Sequence, residues 1–389
     1  MLDFLRQVIK PKYEPLNRVE VLSQNLVDNY NYLKGLQPGA EIWPVLKSNA
    51  YGHGLKEICK ILKHTDVKMV VVDSYPEAQV VYKYLKQAKV LILGEMPYEV
   101  YKYCKFDRTE FVIYNTETLK YLSTETLKHK NTRARIHLFI NTGMNREGAQ
   151  KGKLDKLIEL IKKNSSKIEF TGLCSHLASA DTVSNLNKKQ EKNFFEALKY
   201  VEERGLKPKW VHLGNSAGVF ILDNKRLNAF RVGLGFYGYN IFNKNHPDYK
   251  RAQELKPALR VTSEVVVVQD LEPGDKVSYN ETFTVDKPIR TAVIPFGYTE
   301  GLDRRLSNKA KFKVKAKDKE FYAKVAGRVC MNLTVLNCGH KKVKIGDKIE
   351  VISENPDALN SVQNLVEIME TIPYELLVKL NLGIRRVVI

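Results

Sequence analysis

A lysine and two glycine-containing loops are the residues of this sequence best suited to chemistry. Lys47 directly follows an apolar run and precedes an aromatic-glycine loop, in the segment PVLKSNAYGHG. A lysine amine in such a place can form a Schiff base with a carbonyl group. The loops Gly214-Asn215-Ser216 and Gly233-Leu234-Gly235 offer backbone N–H groups and a hydroxyl that suit an anion such as phosphate. Taken alone, each feature also fits a surface lysine or a tight turn.

The part of the chain that must position these residues alternates short β-rich runs with amphipathic helical patterns. Apolar residues recur three and four apart in segments such as LDKLIELIKK, whose last turn carries lysines. A further helical pattern, VLSQNLVDNYNYLKGL, precedes the first run. Eight runs are predicted to be strands: residues 42–46, 69–72, 90–93, 111–114, 136–140, 170–174, 210–213 and 229–232.

Eight strands with a helix for each predict an α/β fold, a (β/α)8 TIM barrel, which we place at residues 18–251. Beyond it, at residues 252–389, strand-like runs separated by EPGDK, DKP and IGD turns predict a mainly antiparallel β domain. Residues 1–17 form an N-terminal extension, a candidate to contribute a strand to that domain. The length of 389 residues agrees with two domains, since single cores stop growing near about 250 to 300 residues.

Enzymes with this barrel carry their chemistry where the strands end at the C-terminal face. Lys47 ends the first strand, Ser216 follows the seventh and Gly233 follows the eighth. The loops after the last two strands commonly bind phosphate in this fold. A lysine opposite a phosphate-binding loop is a layout suited to pyridoxal phosphate.

Composition and charge set outer limits on location and partners. No run approaches the roughly 18 to 20 apolar residues that span a bilayer, and the first residues lack a secretory signal. The five cysteines show neither a disulfide framework nor metal-ligand spacing, so we expect buried reduced thiols, no metal and a soluble cytoplasmic protein. The formal charge of +19 suggests a nucleic-acid partner as a rival hypothesis, but a solvated basic face explains the charge better.

One family resemblance runs through nearly the whole chain. The segment VLKSNAYGHG resembles the cofactor-lysine motif of alanine racemases, which are fold-type III pyridoxal phosphate enzymes. The resemblance continues in register through NTGMNREG, SHLASAD, VHLGNSAG, FRVGLGFYG, KVSYNETF, IPFGYTEGLDRRL, GRVCMN and IPYE.

The resemblance implies a two-base racemisation of alanine that supplies D-alanine for peptidoglycan. Lys47 would bind the cofactor covalently and serve as the base on one face of the substrate carbon. Tyr279 would be the base on the other face, reaching the site from the partner subunit of a homodimer. Two bases are needed because a planar carbon must lose its proton from one face and regain one on the other.

The resemblance also implies roles for residues around these two bases. Arg231 would bind the pyridine nitrogen of the cofactor, His212 would support Arg231, and His176 would lie beside the tyrosine base. The remaining positions are assigned by class: Tyr51, Asn215, Ser216, Gly233, Leu234 and Tyr374 as cofactor-binding, and Arg146, Met331 and Tyr298 as substrate-binding.

Three neutral residues depart from the family pattern. Phe139 occupies the position of a lysine that many members carbamylate to orient the substrate-binding arginine. Asn141 and Asn332 replace the usual aspartates. We therefore expect Arg146 to be held by another acceptor, either a chloride ion or Asn141.

Other functions stay open at this stage. A racemase of the same fold with broader specificity is the nearest alternative, because the neutral positions leave the size of the substrate pocket undecided. A fold-type III amino-acid decarboxylase is less favoured, because decarboxylation benefits from a carboxylate, rather than Arg231, at the pyridine nitrogen. A pyridoxal phosphate carrier made of one barrel would have no reason for the β domain or for Tyr279.

Overall fold

The computed structural model describes residues 14–126, 132–317 and 319–389, and these form two compact units. One unit is Leu22–Ala258, and the other combines the described residues up to Val21 with Leu259–Ile389. The sequence placed the barrel at residues 18–251, a few residues away at both ends. Residues 1–13 of the expected N-terminal extension lie outside the described residues.

The first strand, β1 (Arg18–Val21), belongs to the second unit rather than to the barrel. It pairs antiparallel with the strand Leu259–Glu264 and parallel with the strand Arg385–Val388. Val19 and Val21 are fully buried, which fixes the register of this short strand because a slip by one residue would expose both. The contribution to the β domain therefore comes from residues that the sequence had placed at the start of the barrel.

Eight parallel strands and their helices make up the unit Leu22–Ala258, as far as the structure describes it. The strands are β2 (Glu41–Pro44), β3 (Met69–Val72), β4 (Lys89–Ile92), β5 (Thr109–Ile113), β6 (Ala134–Phe139), β7 (Ile168–Cys174), β8 (Trp210–His212) and β9 (Ala229–Val232). The helices are α1 (Ser23–Leu36), α2 (Leu55–Leu62), α3 (Tyr75–Tyr84), α4 (Tyr98–Tyr101), α5 (Thr116–Glu125), α6 (Leu154–Lys163), α7 (Asn185–Glu203), α8 (Gly218–Ile221) and α9 (Tyr249–Ala252).

The eight strands close into a barrel. Strands β3 to β8 pair in sequence order as one curled sheet, and β2 pairs with β9 as a second sheet. At one seam the backbone N–H of Leu46 donates to Val71 O at 2.7 Å, and at the other the N–H of Arg231 donates to Gly214 O at 3.0 Å. The predicted (β/α)8 barrel is thus confirmed, with each of the eight predicted strand runs in place.

Local sequence explains why these elements form. Strand β3 reads MVVV and is buried along its whole length, as expected for a parallel strand covered on both faces. Helix α6 buries one side, made of Leu154, Leu157, Ile158 and Ile161, while lysines occupy its last turn near the negative end of the helix dipole.

The second unit is a mainly antiparallel sheet, as the sequence predicted. Besides β1, its described strands are β10 (Leu259–Glu264), β11 (Val267–Leu271), β12 (Ile289–Ile294), β13 (Lys311–Ala316), β14 (Lys319–Val325), β15 (Thr334–Gly339), β16 (Lys348–Ile352) and β17 (Arg385–Val388), accompanied by helices α10 (Val362–Met369) and α11 (Pro373–Val378). These nine strands lie in the order β11-β12-β15-β14-β13-β16-β10-β1-β17, with one parallel pair, β1 with β17. Across the described parts of both units, none of the helices has the length and apolar character that a bilayer crossing requires.

Asn29 on α1 provides a test of how the barrel unit is held together. Its fully buried side chain donates to Lys256 O at 2.8 Å and to Phe236 O at 3.2 Å, and it accepts from Lys256 N at 2.8 Å. Because Asn29→Ala leaves these buried backbone groups without a partner, we expect it to lower the free energy of unfolding by about 2 to 4 kcal/mol.

Calorimetric unfolding of Asn29→Ala and Asn25→Ala measures this difference. Asn25 makes one side-chain bond, to Pro257 O at 2.8 Å, in a partly buried place, so its loss should cost about 1 kcal/mol. Equal effects of the two substitutions would contradict the importance assigned to Asn29.

Candidate active site

Lys47 lies at the mouth of the barrel, just beyond β2, and strained backbone follows it. Ser48, Asn49, Ala50 and Tyr51 all have φ between 51° and 55°, so the chain makes a left-handed turn without glycine. Such a conformation costs roughly 1 to 2 kcal/mol per residue. The backbone bonds from Ala50 N to Leu46 O and from Gly52 N to Ser48 O hold the turn. Strain of this size persists where the fold over-determines it, which is typical of functional sites.

Asp73 faces Lys47 across the barrel mouth. Its Oδ1 lies 3.6 Å from Lys47 Nζ, and both side chains are partly exposed. Asp73 directly follows β3, and Lys47 follows the bridge between Val45 and Val71 that joins the end of β2 to β3, so neighbouring parallel segments bring the two groups to the same edge. Asp73 was not predicted from the sequence, although its place directly after the buried MVVV run indicates a polar residue at the end of a strand.

The predicted phosphate-binding residues of the barrel converge on one small cradle. A Cβ placed on Gly233 would lie 2.4 Å from the hydroxyl of Tyr51, so only glycine leaves room there. Ser216 Oγ accepts a bond from Gly235 N at 3.1 Å, and Leu234 is buried beside it in the same loop. The loops after β8 and β9 therefore meet the turn that follows Lys47.

Asn215 belongs to the same loops but has another task in this structure. Its side-chain oxygen accepts from the backbone N–H of Gly218, the first residue of α8, at 3.0 Å. A role of Asn215 in binding a cofactor stays a prediction.

Arg231 is a buried cation whose neighbours are neutral acceptors. Nη1 donates to His212 Nδ1 at 2.6 Å and to His212 O at 3.0 Å, while Nη2 donates to Ser175 O at 2.6 Å. Nη2 also lies 3.3 Å from His176 Nδ1. The structure thus places His212 against Arg231, as the family resemblance implied, and it also brings His176 to Arg231, a contact that was not predicted. The place of His176 beside the tyrosine base stays a prediction.

The two histidines beside Arg231 are held in the uncharged form. Burial, followed by the positive charges of Arg231, Arg146 and Lys47, lowers the pKa of His176 to about 3. Burial and Arg231 lower the pKa of His212 well below its usual value. Both rings are therefore neutral and can accept a bond from Arg231.

Arg146 has an acceptor that the sequence analysis did not consider. Its Nε and Nη2 donate to Glu147 Oε1 at 3.2 and 2.6 Å. Asn141, one of the two acceptors expected for Arg146, instead bonds the side chain of Asn145 and the backbone N–H of Gly143 and Asn145. The alternative that named Asn141 was therefore wrong, because the hydrogen-bonding groups of its side chain are engaged within its own turn, whereas the chloride alternative stays a prediction.

Phe139 occupies the position at which many members of the family that the chain resembles have a carbamylated lysine. It is buried, and a Cβ on Gly148 would lie 2.6 Å from its ring, so Phe139 packs directly against the loop that carries Arg146 and Glu147. Phe139 thus packs beneath the loop, while the 55% exposed side chain of Arg146 pairs with Glu147.

Three residues of the β domain that were predicted to belong to the site line one cavity. Tyr279, Tyr298 and Met331 surround about 370 Å³ of space together with Arg304, Val329 and Cys330. The side chain of Tyr279 is 67% exposed. Tyr374 lies on α11 of the same unit, and its role at the phosphate stays a prediction.

The backbone around Tyr279 is strained, as it is after Lys47. Ser278, Asn280 and Glu281 have φ of 65°, 61° and 51°. The Ser278 hydroxyl donates to Arg328 O at 2.8 Å, and the loop rests on a small core that includes Val277, Val285, Ile289 and Ala326. The fold thus tolerates strained backbone in the loop that exposes Tyr279 to solvent.

Within residues 14–126, 132–317 and 319–389, no three His, Cys, Asp or Glu side chains gather as a metal site would require. The five cysteines, all in the described chain, are free.

Comparison with known proteins places this fold and site in a known group. Residues 21–241 match the family description "Alanine racemase, N-terminal domain", and residues 258–388 match "Alanine racemase, C-terminal domain". A protein named alanine racemase from Borreliella burgdorferi is 32% identical over 358 residues, which cover 91% of this chain and 92% of that protein.

Solved structures agree over the full length of the chain. Alanine racemase from a D-cycloserine-producing Streptomyces lavendulae has a TM-score of 0.89 at 21% identity, covering 97% of this chain and 98% of its own, which supports the fold. Alanine racemase from Bartonella henselae, solved with covalently bound pyridoxal phosphate, has a TM-score of 0.83 at 25% identity, covering 97% and 100%. The fold, the site and these relatives define an isomerase of the amino-acid racemase class. The chain belongs to the alanine racemase family.

The lowered pKa of His176 predicts acid sensitivity of the folded state. The unfolded chain binds a proton at this ring below about pH 6.5, while the folded chain does so only near pH 3. The stability linked to a neutral His176 is therefore present above pH 6.5 and is lost as the pH falls toward 3, by up to about 1.4 kcal/mol per pH unit.

Unfolding midpoints of the cofactor-free protein across this pH range measure the effect. His176→Gln should flatten the loss of stability, whereas His340→Gln, which changes an exposed histidine, should not. Parallel pH profiles for wild type and His176→Gln would show that the ring is not held neutral.

Proposed function

We propose that this protein interconverts L- and D-alanine with pyridoxal phosphate, using Lys47 and Tyr279 of the partner subunit as two bases. One observation carries the proposal: Lys47, the Arg231–histidine cluster and a glycine-lined cradle surround one barrel mouth, in a chain of the alanine racemase family. D-alanine for peptidoglycan is the product we assign to it. We infer a cytoplasmic setting, in keeping with the free cysteines.

The residues of the barrel fit the parts of this cofactor. A primary amine, Lys47, is available for its aldehyde. The cradle at Gly233, where a side chain would strike Tyr51, leaves space and hydroxyl groups for its phosphate. The guanidinium of Arg231 is buried with its direction fixed, and it would donate to the pyridine nitrogen. When bound, pyridoxal phosphate makes the α-hydrogen of an amino acid acidic.

The chain's own groups would then move the proton. Lys47 Nζ would remove or return it on one face of the substrate carbon, and the hydroxyl of Tyr279 of the partner subunit would act on the other. An exposed tyrosine on a strained loop is suited to reach into a neighbouring subunit, because its own chain leaves it 67% exposed. The homodimer would therefore be required for activity.

Arg231 would restrict the chemistry to racemisation. A permanently charged guanidinium disfavours a proton on the pyridine nitrogen, which limits side reactions such as transamination. His176, kept neutral by burial and by the nearby cations, would accept from Arg231 without adding charge beside the tyrosine.

Arg146 would bind the substrate carboxylate. Its contact with Glu147 favours one alternative function, a racemase of broader specificity. A carboxylate at this place could also attract a substrate with a basic side chain, which would make the enzyme a racemase of broader specificity. A screen of all amino acids with added pyridoxal phosphate, read by chiral chromatography, decides between the two. Racemisation of alanine well above the others supports our proposal, and preference for lysine or arginine supports the alternative.

The two-base mechanism predicts a specific defect in Tyr279→Phe. Loss of one general base should lower the racemisation rate by about 100- to 10,000-fold. Exchange of the α-hydrogen with D₂O should survive for one enantiomer only, because Lys47 still serves its own face. Proton NMR of L- and D-alanine incubated in D₂O measures both quantities.

A matched control is Tyr322→Phe, which removes a hydroxyl from a strand of the same unit. It should leave racemisation and exchange unchanged. Racemisation by Tyr279→Phe at the wild-type rate would exclude Tyr279 as a base.

A further inference from the structure

A line of buried polar groups runs from Arg231 into the interior of the barrel. His212 Nδ1 is 2.6 Å from Arg231 Nη1, His212 Nε2 is 2.7 Å from His137 Nδ1, and His137 Nε2 is 2.8 Å from Glu110 Oε2. Arg231 is 4% exposed, Glu110 1%, and the two histidines not at all. Lys89, whose side chain is 40% exposed, donates to Glu110 Oε1 at 2.9 Å.

The chemistry of the donors allows one arrangement of protons along this line. A guanidinium can only donate, so Nδ1 of His212 must accept. The remaining proton of neutral His212 is then on Nε2 and points at His137, whose Nδ1 must accept. His137 therefore carries its proton on Nε2 and donates it to Glu110. Each ring has one donor and one acceptor, and both are satisfied.

Glu110 completes this line as a charge. Burial raises the pKa of Glu110, but the hydrogen bonds from His137 and Lys89 and the positive charge of Lys89 outweigh it and lower that pKa below its usual value, so the carboxyl is ionised at neutral pH. Lys89 is the direct ion-pair partner of this carboxylate. The Glu110 carboxylate is joined to Arg231 by hydrogen bonds through the two imidazole rings, so it supplies the acceptor at the far end of the line.

The barrel is shaped to hold the two rings in place. A Cβ on Gly172 would lie 2.2 Å from His137 Nδ1, so glycine is required in β7 for the ring to fit. Trp43 packs edge-on against both rings, with centroids 6.0 Å from His137 and 5.0 Å from His212. Neither ring can turn without displacing these neighbours.

We propose that Glu110 and His137 are positioning residues: His137 accepts the proton of His212, Glu110 accepts that of His137, and together they hold the His212 ring, and through it the Arg231 guanidinium, in one orientation. Any effect on reaction specificity rests on the proposed function, in which Arg231 faces the pyridine nitrogen of the cofactor. The arrangement of protons on His212 and His137 does not depend on the proposed function and can be measured in the protein without cofactor.

Glu110→Gln tests the proposal with a change of charge at nearly constant shape. Lys89 would keep the amide oxygen on its own side, which turns the amide NH₂ toward His137 Nε2. Two donors would then face each other, so His137 should shift toward the Nδ1–H form and leave the His212 proton without an acceptor. Nitrogen-15 NMR of the imidazole groups in the cofactor-free protein reads these forms directly.

The same variant should also alter turnover in the cofactor-loaded enzyme. We expect kcat for alanine racemisation to fall by about 10- to 100-fold, the usual range for residues that orient a reactive group through another, with little change in KM. The number of racemisation events per transamination event should fall as well. Glu169→Gln is the matched control, because it removes a carboxylate from β7 that pairs with arginines at a partly exposed surface.

The outcomes separate this proposal from the proposed function. Wild-type protein that shows both histidines as Nε2–H, a shifted His137 form in Glu110→Gln and an unchanged Glu169→Gln support the positioning role. An Nδ1–H or doubly protonated His137 in the wild type would overturn it, even if Glu110→Gln does not fold. Unchanged ring forms, kcat and transamination in Glu110→Gln would overturn it too. Failure of the wild type to racemise alanine would instead refute the proposed function and leave the NMR result valid.

Discussion

The burial of one guanidinium in the barrel is the constraint on which the rest of the site depends. Removing the Arg231 charge from water is costly, so every group around it must accept a hydrogen bond or supply opposite charge. The carbonyl oxygens of Ser175 and His212 and the neutral His212 ring meet that need as acceptors, and the His212 ring is held in turn by His137 and Glu110. Because each bond has a fixed direction, the compensation that makes burial possible also fixes where Arg231 points. The same hydrogen bonds thus stabilise the buried charge and fix the orientation of the guanidinium.

Backbone strain is the second organising feature. The residues after Lys47 and those around Tyr279 adopt left-handed conformations that lack the usual glycines. In each unit the surrounding core offsets this strain, with Tyr51 packed against buried Tyr237 in the barrel and Val277 in the small core of the β domain. Both units therefore present one reactive side chain on an over-determined loop, as expected if each contributes one half of a shared active site.

The sequence was sufficient for the architecture, because strand runs such as MVVV and helices such as LDKLIELIKK carry strong periodicity. The family resemblance also paired His212 with Arg231, and the structure places these two side chains in hydrogen-bond contact, whereas the contact between His176 and Arg231 was not predicted. The sequence was less successful for contacts that depend on the paths of several strands. Glu110 is on a fully buried strand, and nothing in the sequence around it indicated a polar contact. Glu147 is the sequence neighbour of Arg146, but we had expected Asn141 rather than Glu147 as the acceptor for Arg146. The four residues of β1 were placed in the wrong unit because a short strand is identified by its partners rather than by its own pattern.

Subunit complementation tests the central claim, a site shared between the barrel of one subunit and the β domain of its partner, most directly. Lys47→Ala and Tyr279→Phe subunits should each form nearly inactive homodimers. After exchange in equal amounts, half of the dimers are mixed, and each mixed dimer has one site with both natural bases, so we predict recovery of about a quarter of wild-type racemisation. Native mass spectrometry verifies that mixed dimers have formed. If they form and alanine racemisation does not rise above that of the separate variants, the two bases do not act in one shared site.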